Sequence, residues 1–140
     1  MTILLIRHAR AGERSEWQGD DRLRPLDERG RLQAAALVEL LRDYEVDRIV
    51  SSPYDRCVQT VEPLAAARGL GVEQREELSD ELQEVDGVAL VDTLEGHAAI
   101  CCHGELAPAL IDEPQKKGEV IVLERDAGSW RPLERLRPSV

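Results

Sequence analysis

The feature that most constrains this chain is an uninterrupted apolar run that leads directly into an arginine and a histidine. Residues 3–6 are all aliphatic, and Arg7 and His8 follow them at once. Because four apolar residues in a row do not alternate, we expect a strand covered on both faces, as in a parallel sheet wrapped by helices. Ligands of such sheets bind beyond the carboxyl ends of the strands. The sequence therefore predicts that Arg7 and His8 lie at a ligand-binding edge.

The composition is that of a globular chain and limits the possible partners. The 140 residues, 42% of them hydrophobic, fit one domain spanning residues 1–140. A net charge of -10 argues against general binding of nucleic acid or of anionic membranes, since both require clustered Lys and Arg. No apolar run approaches the length of a membrane span. We expect neither nucleic acid nor a membrane as partner, and no feature of the sequence indicates an oligomeric state.

The three cysteines indicate the compartment. Cys101 and Cys102 are adjacent and Cys57 stands alone, a spacing that forms neither a disulfide framework nor a C-x-x-C metal signature. This usage is typical of a protein kept in a reducing environment. We therefore expect a cytoplasmic protein.

A second informative stretch follows a short predicted strand at residues 47–51. Ser52 and Pro53 are a helix start signal, and they place Arg56 within about the first turn of the next helix. The free amide groups of that turn, the positive end of the helix dipole and the guanidinium of Arg56 would then face the same space. This combination predicts an anion-binding site.

The third stretch repeats the pattern of the first. Residues 98–102 form an apolar strand that ends in His103, and Gly104 then permits a tight turn. Because parallel strands end at one edge of a sheet, we expect His8 and His103 to lie close together. The long polar segment at residues 11–26, directly after His8, is expected to form a wall of the same site.

The remaining elements follow from periodicity and from breaker residues. Asp27 is expected to cap a helix that runs to Tyr44, with a buried stripe that includes Leu32 and Leu37. The other predicted elements are helices over 53–69, 86–95 and 105–111 and strands over 72–75, 119–124 and 129–136. The last two strands flank a turn at residues 126–128 and are expected to form a hairpin.

Three motifs, each at the end of a strand, occur in the order in which one family carries them. They are Arg7-His8, Ser52-Pro53 with Arg56 and Thr60, and His103-Gly104. In this order they resemble the histidine phosphatase superfamily, whose fold is also called phosphoglycerate mutase-like. The resemblance is strongest to the short SixA-type phosphohistidine phosphatases and to the phosphatase half of some MutT-linked two-domain bacterial proteins. It implies an α/β three-layer sandwich: a mostly parallel central sheet, helices on both faces and a C-terminal antiparallel hairpin.

The resemblance also implies a mechanism. His8 would attack phosphorus and become phosphohistidine, while Arg7, Arg56 and His103 would surround the transferred phosphoryl group. No metal or other cofactor is expected. A His-Asp metal site is the weaker alternative, because the histidines lack a short ligand spacing such as H-x-x-x-H.

The general acid and the determinants of substrate choice are less sharply defined by the motifs. By its position relative to Leu78, Asp80 matches the acidic residue of the family's Leu-x-Glu segment, and the adjacent Glu81 is its competitor. Substrate choice is assigned to five charged residues of the segment after His8. These are Arg14, Asp20, Asp21, Arg22 and Arg24.

The resemblance favours a metal-independent phosphatase, first of all a SixA-type enzyme acting on protein phosphohistidine. The segment between Arg56 and His103 is too short for a helical cap domain, so the site should be open to a phosphorylated protein. A small phosphorylated metabolite or nucleotide is the alternative substrate. A non-catalytic phosphate-binding module is the second alternative, and a nudix-type partner is left open.

Overall fold

Residues 2–80 and 84–140, which the computed structural model describes, form six strands and four α-helices around a single sheet. The strands are β1 (Thr2–Arg7), β2 (Arg48–Ser51), β3 (Val72–Gln74), β4 (Ala98–Cys102), β5 (Val120–Asp126) and β6 (Ser129–Leu136). The helices are α1 (Glu28–Leu40), α2 (Asp55–Arg68), α3 (Glu84–Thr93) and α4 (Leu106–Ile111).

The sheet has the order β3-β2-β4-β1-β5-β6. The first four of these strands are parallel, whereas β5 runs antiparallel to β1 and forms a hairpin with β6. The register of the central pair places Arg7 of β1 opposite Cys102 of β4. The predicted architecture is therefore confirmed: the sheet is mostly parallel and ends in an antiparallel hairpin.

The apolar run of β1 is buried because helices cover both faces of the sheet. Leu4 and Ile6 belong to one buried cluster with side chains of α1 and α2, whereas Ile3 and Leu5 belong to another with side chains of α3 and α4. All four are at most 1% exposed. Alternate side chains thus enter opposite layers, which explains why the sequence carries no polar residue between them.

Helix α1 starts as predicted but ends earlier. The Asp27 carboxylate accepts a hydrogen bond from the Gly30 amide at 2.7 Å, so Asp27 is the N-cap. The helix ends at Leu40 rather than at Tyr44, because the Arg68 guanidinium of α2 binds the carbonyl oxygens of Leu41 and Tyr44 and holds this segment as a turn.

The packing of α1 differs from the expectation in which side chains are buried, and it explains the glycine in the first turn. Leu37 is buried as expected, but Leu32, also expected in the buried stripe, is 53% exposed, and Ala34 is buried in addition. Gly30 weakens the helical propensity of the first turn, but a Cβ there would overlap the carbonyl oxygen of Arg10. A side chain is excluded at this position because α1 packs directly on the segment that follows His8.

The other boundaries differ from expectation by one or two residues. Helix α3 lies two residues earlier than predicted, and α4 begins one residue later. Helix α2 ends at Gly69, whose left-handed backbone (φ 66°) closes it as expected. Within the described residues, no helix has the length and the apolar character needed to cross a membrane.

Candidate active site

His8 and His103 lie side by side at the carboxyl edge of the sheet. Each follows its strand directly, and β1 and β4 are parallel neighbours. The ring centroids are 5.6 Å apart in an edge-to-face arrangement, and each residue is only 5% exposed. The prediction that two separate strands deliver two histidines to one place is confirmed geometrically.

The His8 ring is held in one neutral tautomer. Its Nδ1 lies 2.8 Å from the carbonyl oxygen of Ala9. Because a carbonyl oxygen only accepts, Nδ1 carries the hydrogen and Nε2 keeps a free lone pair. Burial lowers the pKa of His8 from 6.5 to about 3, and the nearby His103, Arg56 and Arg7 act in the same direction. The ring is therefore uncharged at neutral pH, and its Nε2 lone pair has the character of a nucleophile.

Thr60 connects helix α2 to the backbone beside His8. Its hydroxyl donates to the carbonyl oxygen of Arg56 at 2.6 Å and accepts from the amide of Ala9 at 2.9 Å. Thr60 is fully buried. One side chain thus ties the backbone beside His8 to the backbone of Arg56.

Arg56 is buried in the first turn of α2, as its spacing from Pro53 predicted. Its guanidinium lies 4.7 Å from the ring centroid of Tyr54, which supports it from one side. Nη1 donates to the carbonyl oxygen of Asp21 at 2.9 Å, and Nη2 lies 3.2 Å from the Asp21 carboxylate and 3.5 Å from that of Asp80.

Arg7 reaches the same region through a contact that requires glycine. Its Nη1 donates to the carbonyl oxygen of Gln115 at 2.6 Å. A Cβ on Gly104 would lie 2.9 Å from the Arg7 guanidinium carbon, so a larger residue would displace that group. Gly104 does follow the strand in a turn, but its φ is not positive. The glycine therefore provides space for Arg7 rather than an unusual backbone conformation.

Unpaired polar atoms mark this place as a ligand site. Among the described residues, four buried side-chain nitrogen or oxygen atoms have no hydrogen-bond partner: Arg7 Nε, Arg56 Nε, His103 Nδ1 and Gln115 Oε1. Leaving such buried polar atoms unpaired costs free energy unless a ligand forms hydrogen bonds with them. Three of the four are nitrogens of the groups predicted to surround a phosphoryl group. The geometry is that of an anion site beside a nucleophilic imidazole.

The opposite edge of the His103 ring is fixed by polar side chains. Its Nε2 lies 2.9 Å from the Ser52 hydroxyl and 3.7 Å from the Cys57 sulfur. The Tyr54 ring packs edge-on at 4.7 Å between centroids. The Ser52-Pro53 signal therefore both precedes α2 and orients His103.

Of the two candidate general acids, Asp80 and Glu81, the structure describes Asp80. The Asp80 carboxylate is 20% exposed and lies 3.8 Å from His103 Nδ1, in addition to its contact with Arg56. Asp80 therefore lies at the rim of the site. Its competitor Glu81 falls outside the described residues.

The segment after His8 forms a wall of the site, and Asp21 is its central residue. The Asp21 carboxylate binds Arg24 Nε at 3.0 Å as well as Arg56, and Arg14 approaches it at 3.7 Å. Although partial burial opposes ionisation, Arg24, Arg56 and Arg14 lower the pKa of Asp21 below its usual value. This carboxylate links the wall to Arg56.

The other charged residues of the segment have different partners. Arg24 is buried and also donates to the carbonyl oxygen of Ala11 at 2.9 Å, so it supports the segment itself. Asp20 caps a short 3-10 turn through the amide of Arg22. Arg22 forms a bidentate pair with Glu76 across the rim. Of the five residues assigned to substrate choice, Arg24 and Asp20 are thus engaged within the segment.

Sequence reasoning missed two neighbours of the site. Tyr54, between Pro53 and Arg56, packs against both Arg56 and His103, and its place inside a recognised motif could have drawn attention to it. Gln115 lies in a loop, is 4% exposed and bonds Arg7. No periodicity distinguishes Gln115 in the sequence.

No group of three or more His, Cys, Asp or Glu side chains in residues 2–80 and 84–140 is arranged to hold a metal ion. His97, the third histidine of the chain, follows the end of α3 outside this site, and its Nε2 lies 3.1 Å from the Glu45 carboxylate.

Comparison with known proteins places these motifs in a family. A family model described as Histidine phosphatase superfamily (branch 1) matches residues 3–99. An 8-oxo-(d)GTP phosphatase of Mycolicibacterium smegmatis is 38% identical over an alignment of 117 residues, and the match covers 79% of this chain. The chain spans 36% of the length of that relative.

Solved structures of similar fold match this chain over nearly its whole length. The protein histidine phosphatase SixA complexed with tungstate matches with a TM-score of 0.83 and 21% identity, over 99% of this chain and 97% of that one. The alpha-ribazole phosphatase from Shigella flexneri matches with a TM-score of 0.78 and 17% identity, over 99% and 96%. At these identities the similarity establishes the fold.

Proposed function

Because this chain belongs to the histidine phosphatase superfamily, we propose that it is a phosphatase that hydrolyses phosphate from its substrate through a covalent phosphohistidine on His8. The observation that carries this proposal is the His8 tautomer. With Nδ1 bound to the Ala9 carbonyl and the ring pKa lowered to about 3, Nε2 is a free, neutral nucleophile. It stands among donors that have no other partner.

In the first step, Nε2 of His8 forms a bond to phosphorus while the bond from phosphorus to the leaving group breaks. The electron pair of that bond goes to the leaving group. Arg7 Nε, Arg56 Nε and His103 Nδ1 bind the equatorial oxygens, on which charge is spread in the transition state. Because these donors are buried and already oriented, little reorganisation is needed during the reaction.

In the second step, water attacks the phosphohistidine, the P–N bond breaks and inorganic phosphate leaves. His8 recovers its lone pair on Nε2, and the proton lost by water passes to Asp80 where Asp80 protonated the leaving group, and otherwise leaves with phosphate. Asp80, at the rim, is the group we assign to proton transfer to a basic leaving group in the first step and from water in the second. No step requires a metal ion.

The first candidate substrate is the phosphohistidine of a protein. A fold shared with SixA and a rim without a cap domain support it, since a folded partner must bring its side chain to His8. The three free cysteines agree with action in the reducing cytoplasm.

The second candidate is a small phosphorylated metabolite or nucleotide. The observation that favours it is the relative from Mycolicibacterium smegmatis, which is named for a nucleotide substrate and is 38% identical in the matched region. Because this chain matches only part of that relative, hydrolysis of a nucleotide by this chain is itself a proposal.

The test of the function is hydrolysis of an aryl phosphate, measured as phosphate release. We expect turnover by the wild type and by His97→Gln, which removes a histidine outside the site, and none by His8→Ala. Equal turnover by His8→Ala and wild type would reject the proposal.

A further inference from the structure

We propose that a basic pocket beside the segment of His8 is a docking surface for an acidic segment of the phosphorylated protein substrate. This inference rests on the proposed function, in its form of a protein phosphohistidine phosphatase, and names the chemistry of the partner. The basic pocket has a volume of about 450 Å³. Its cationic lining residues are Arg7, Arg10, Arg29, Lys116, Lys117 and Arg137.

The concentration of positive charge in this pocket contrasts with the rest of the chain. The protein carries a net charge of -10, yet six of its 18 Lys and Arg residues line this one pocket. Glu13 is the one carboxylate among the described residues of the lining. Cations gathered in a concavity focus a positive potential, which attracts negative charge to it.

The basic pocket and His8 lie at the same edge of the sheet. Strand β5 runs antiparallel to β1 and so begins where β1 ends, and β6 ends beside the start of β5. Lys116 and Lys117 precede β5, and Arg137 directly follows β6. The Gly118 amide donates to the carbonyl oxygen of His8 at 3.0 Å. The pocket therefore adjoins the segment of the nucleophile on the side of β5.

Most cations of the pocket are not neutralised by the protein, in contrast to the site arginine on α2. The Arg56 guanidinium lies against the carboxylates of Asp21 and Asp80. In the pocket, Arg10 is paired with a carboxylate at 3.0 Å. Within residues 2–80 and 84–140, no ion pair or side-chain hydrogen bond is formed by Arg29, Lys116, Lys117 or Arg137. Their charge is therefore available to a partner.

The spacing between His8 and the pocket suits an extended peptide. Arg10 follows His8 by two residues, so their Cα atoms are at most about 7 Å apart. An extended peptide advances about 3.3–3.6 Å per residue, so two to four residues span roughly 7–14 Å. One segment can therefore place its phosphoryl group at His8 and nearby carboxylates at the pocket.

The exposure of the cations favours an acidic protein segment over other anions. A small ligand is held by a few buried, convergent polar groups, whereas five of the six cations here are exposed and come from separate parts of the chain, at residues 10, 29, 116–117 and 137. A long nucleic acid would extend past the pocket over a chain that is acidic overall. Exposed charges of this kind select a partner by its sign and increase its rate of association.

The test uses three synthetic peptides that differ only in charge. Each carries one central phosphohistidine, flanked at the second to fourth positions on both sides by Glu, Gln or Lys. At low salt, we expect kcat/KM of the wild type to be at least about tenfold higher for the Glu peptide than for the Gln peptide, and lowest for the Lys peptide. The advantage of the Glu peptide should fall as salt is added, because exposed charges are screened.

The double variant Lys116→Gln/Lys117→Gln tests the pocket directly. It should bring the ratio of kcat/KM for the Glu and Gln peptides to within about threefold, mainly by raising KM for the Glu peptide. Because the ratio compares two peptides with the same variant, a general loss of activity cancels. The turn should persist because Lys116 contributes to it through its backbone.

The matched control is Arg31→Gln/Arg42→Gln, which removes the same number of charges from exposed arginines outside the pocket and should keep the wild-type ratio. Equal kcat/KM of the wild type for the Glu and Gln peptides would overturn the inference, as would a ratio that the lysine variant leaves unchanged or that both double variants lower equally. Tighter binding of a single-stranded oligonucleotide than of the Glu peptide, lost in the lysine variant, would assign the pocket to nucleic acid and also reject it.

The failure of the proposed function and the failure of the docking surface give different results. If neither aryl phosphate nor any phosphohistidine peptide is hydrolysed, the proposed function fails. Calorimetric binding of the unphosphorylated Glu and Gln peptides to the wild type and the lysine variant then still decides the pocket. If aryl phosphate is hydrolysed and the Glu peptide has no advantage in turnover or in binding, only the present inference fails.

Discussion

The Nδ1 atom of His8 lies 2.8 Å from the carbonyl oxygen of Ala9. This contact fixes the hydrogen on Nδ1 and leaves Nε2 as the atom that can attack phosphorus. Since the acceptor is the backbone carbonyl of the next residue, Ala9, the local backbone conformation determines which nitrogen of His8 reacts.

The first prediction concerns the ionisation of His8. Burial lowers its pKa to about 3, so its NMR resonances should not titrate between about pH 5 and 8 in the folded protein. In the urea-unfolded chain the same residue should titrate near 6.5. A folded-state midpoint near 6.5 would contradict the assigned environment.

The same shift predicts how His8 contributes to stability. Between pH 6.5 and about 3 the unfolded chain binds more protons at His8 than the folded one, so the free energy of unfolding rises with pH in this window. Denaturation measured at pH 4 to 6 should show a slope up to about 1.4 kcal/mol per pH unit steeper for the wild type than for His8→Ala. Parallel curves would argue that His8 is not held neutral.

The second prediction concerns the space that Gly104 provides. In Gly104→Ala the new Cβ meets the Arg7 guanidinium, which must move away from its place in the site. We expect kcat to fall about a hundredfold, because a misplaced phosphate ligand weakens the transition state. The unfolding temperature should change little, since the displaced group is the end of a flexible side chain.

Gly71→Ala is the matched control, because a Cβ at Gly71 meets no atom within 4 Å. It should leave kcat unchanged. Wild-type activity in Gly104→Ala would show that the position of Arg7 is not critical.

The third prediction separates the hydroxyl of Thr60 from its bulk. Thr60→Val leaves the buried amide of Ala9 without an acceptor, which should cost about 1–3 kcal/mol in the free energy of unfolding. Because that amide adjoins His8, kcat should fall as well. Thr60→Ser keeps the hydroxyl and should retain most of the stability and most of kcat. Denaturant titration measures the first and initial rates measure the second. Similar losses in the two variants would mean that packing, not the hydrogen bond, matters here.

The fourth prediction addresses Asp80. If it protonates the leaving group, Asp80→Asn should slow hydrolysis of an alkyl phosphate about 10²- to 10⁴-fold and affect a phosphoramidate much less, because an imidazole or amine is more easily protonated. Glu73→Gln on β3 changes an acidic residue that pairs with Arg48 and serves as the control. An equal effect of Asp80→Asn on both substrate classes would reject the assignment.

The sequence predicted those parts of the site that depend on regular elements. Parallel strands end at one edge, so an apolar run before His8 and another before His103 sufficed to bring the two histidines together. A helix start signal placed Arg56 in the first turn of α2. These inferences follow from the periodicity of side chains and from the direction of strands, which are local properties.

Contacts made by irregular segments could not be predicted in the same way. Asp21 meets Arg56 through a polar segment that has no hydrophobic period, and Gln115 meets Arg7 from a loop. Gly104 was interpreted as a turn residue, although its contact with Arg7 explains the glycine. Leu32 fitted the helical stripe, but the sheet is covered by the other side of α1. Tertiary packing determines these three contacts and the exposure of Leu32, and the residues next to them in the sequence do not indicate how the segments pack.

The most direct test of the account is to trap the phosphorylated enzyme. Wild-type protein quenched during turnover of an aryl phosphate should carry one acid-labile, alkali-stable phosphoryl group, which ¹⁵N–³¹P NMR should place on Nε2 of His8. His97→Gln should be labelled in the same way, and His8→Ala should not be labelled. A phosphoenzyme that forms on His8→Ala, or turnover by the wild type with no phosphoenzyme on His8, would contradict the central claim.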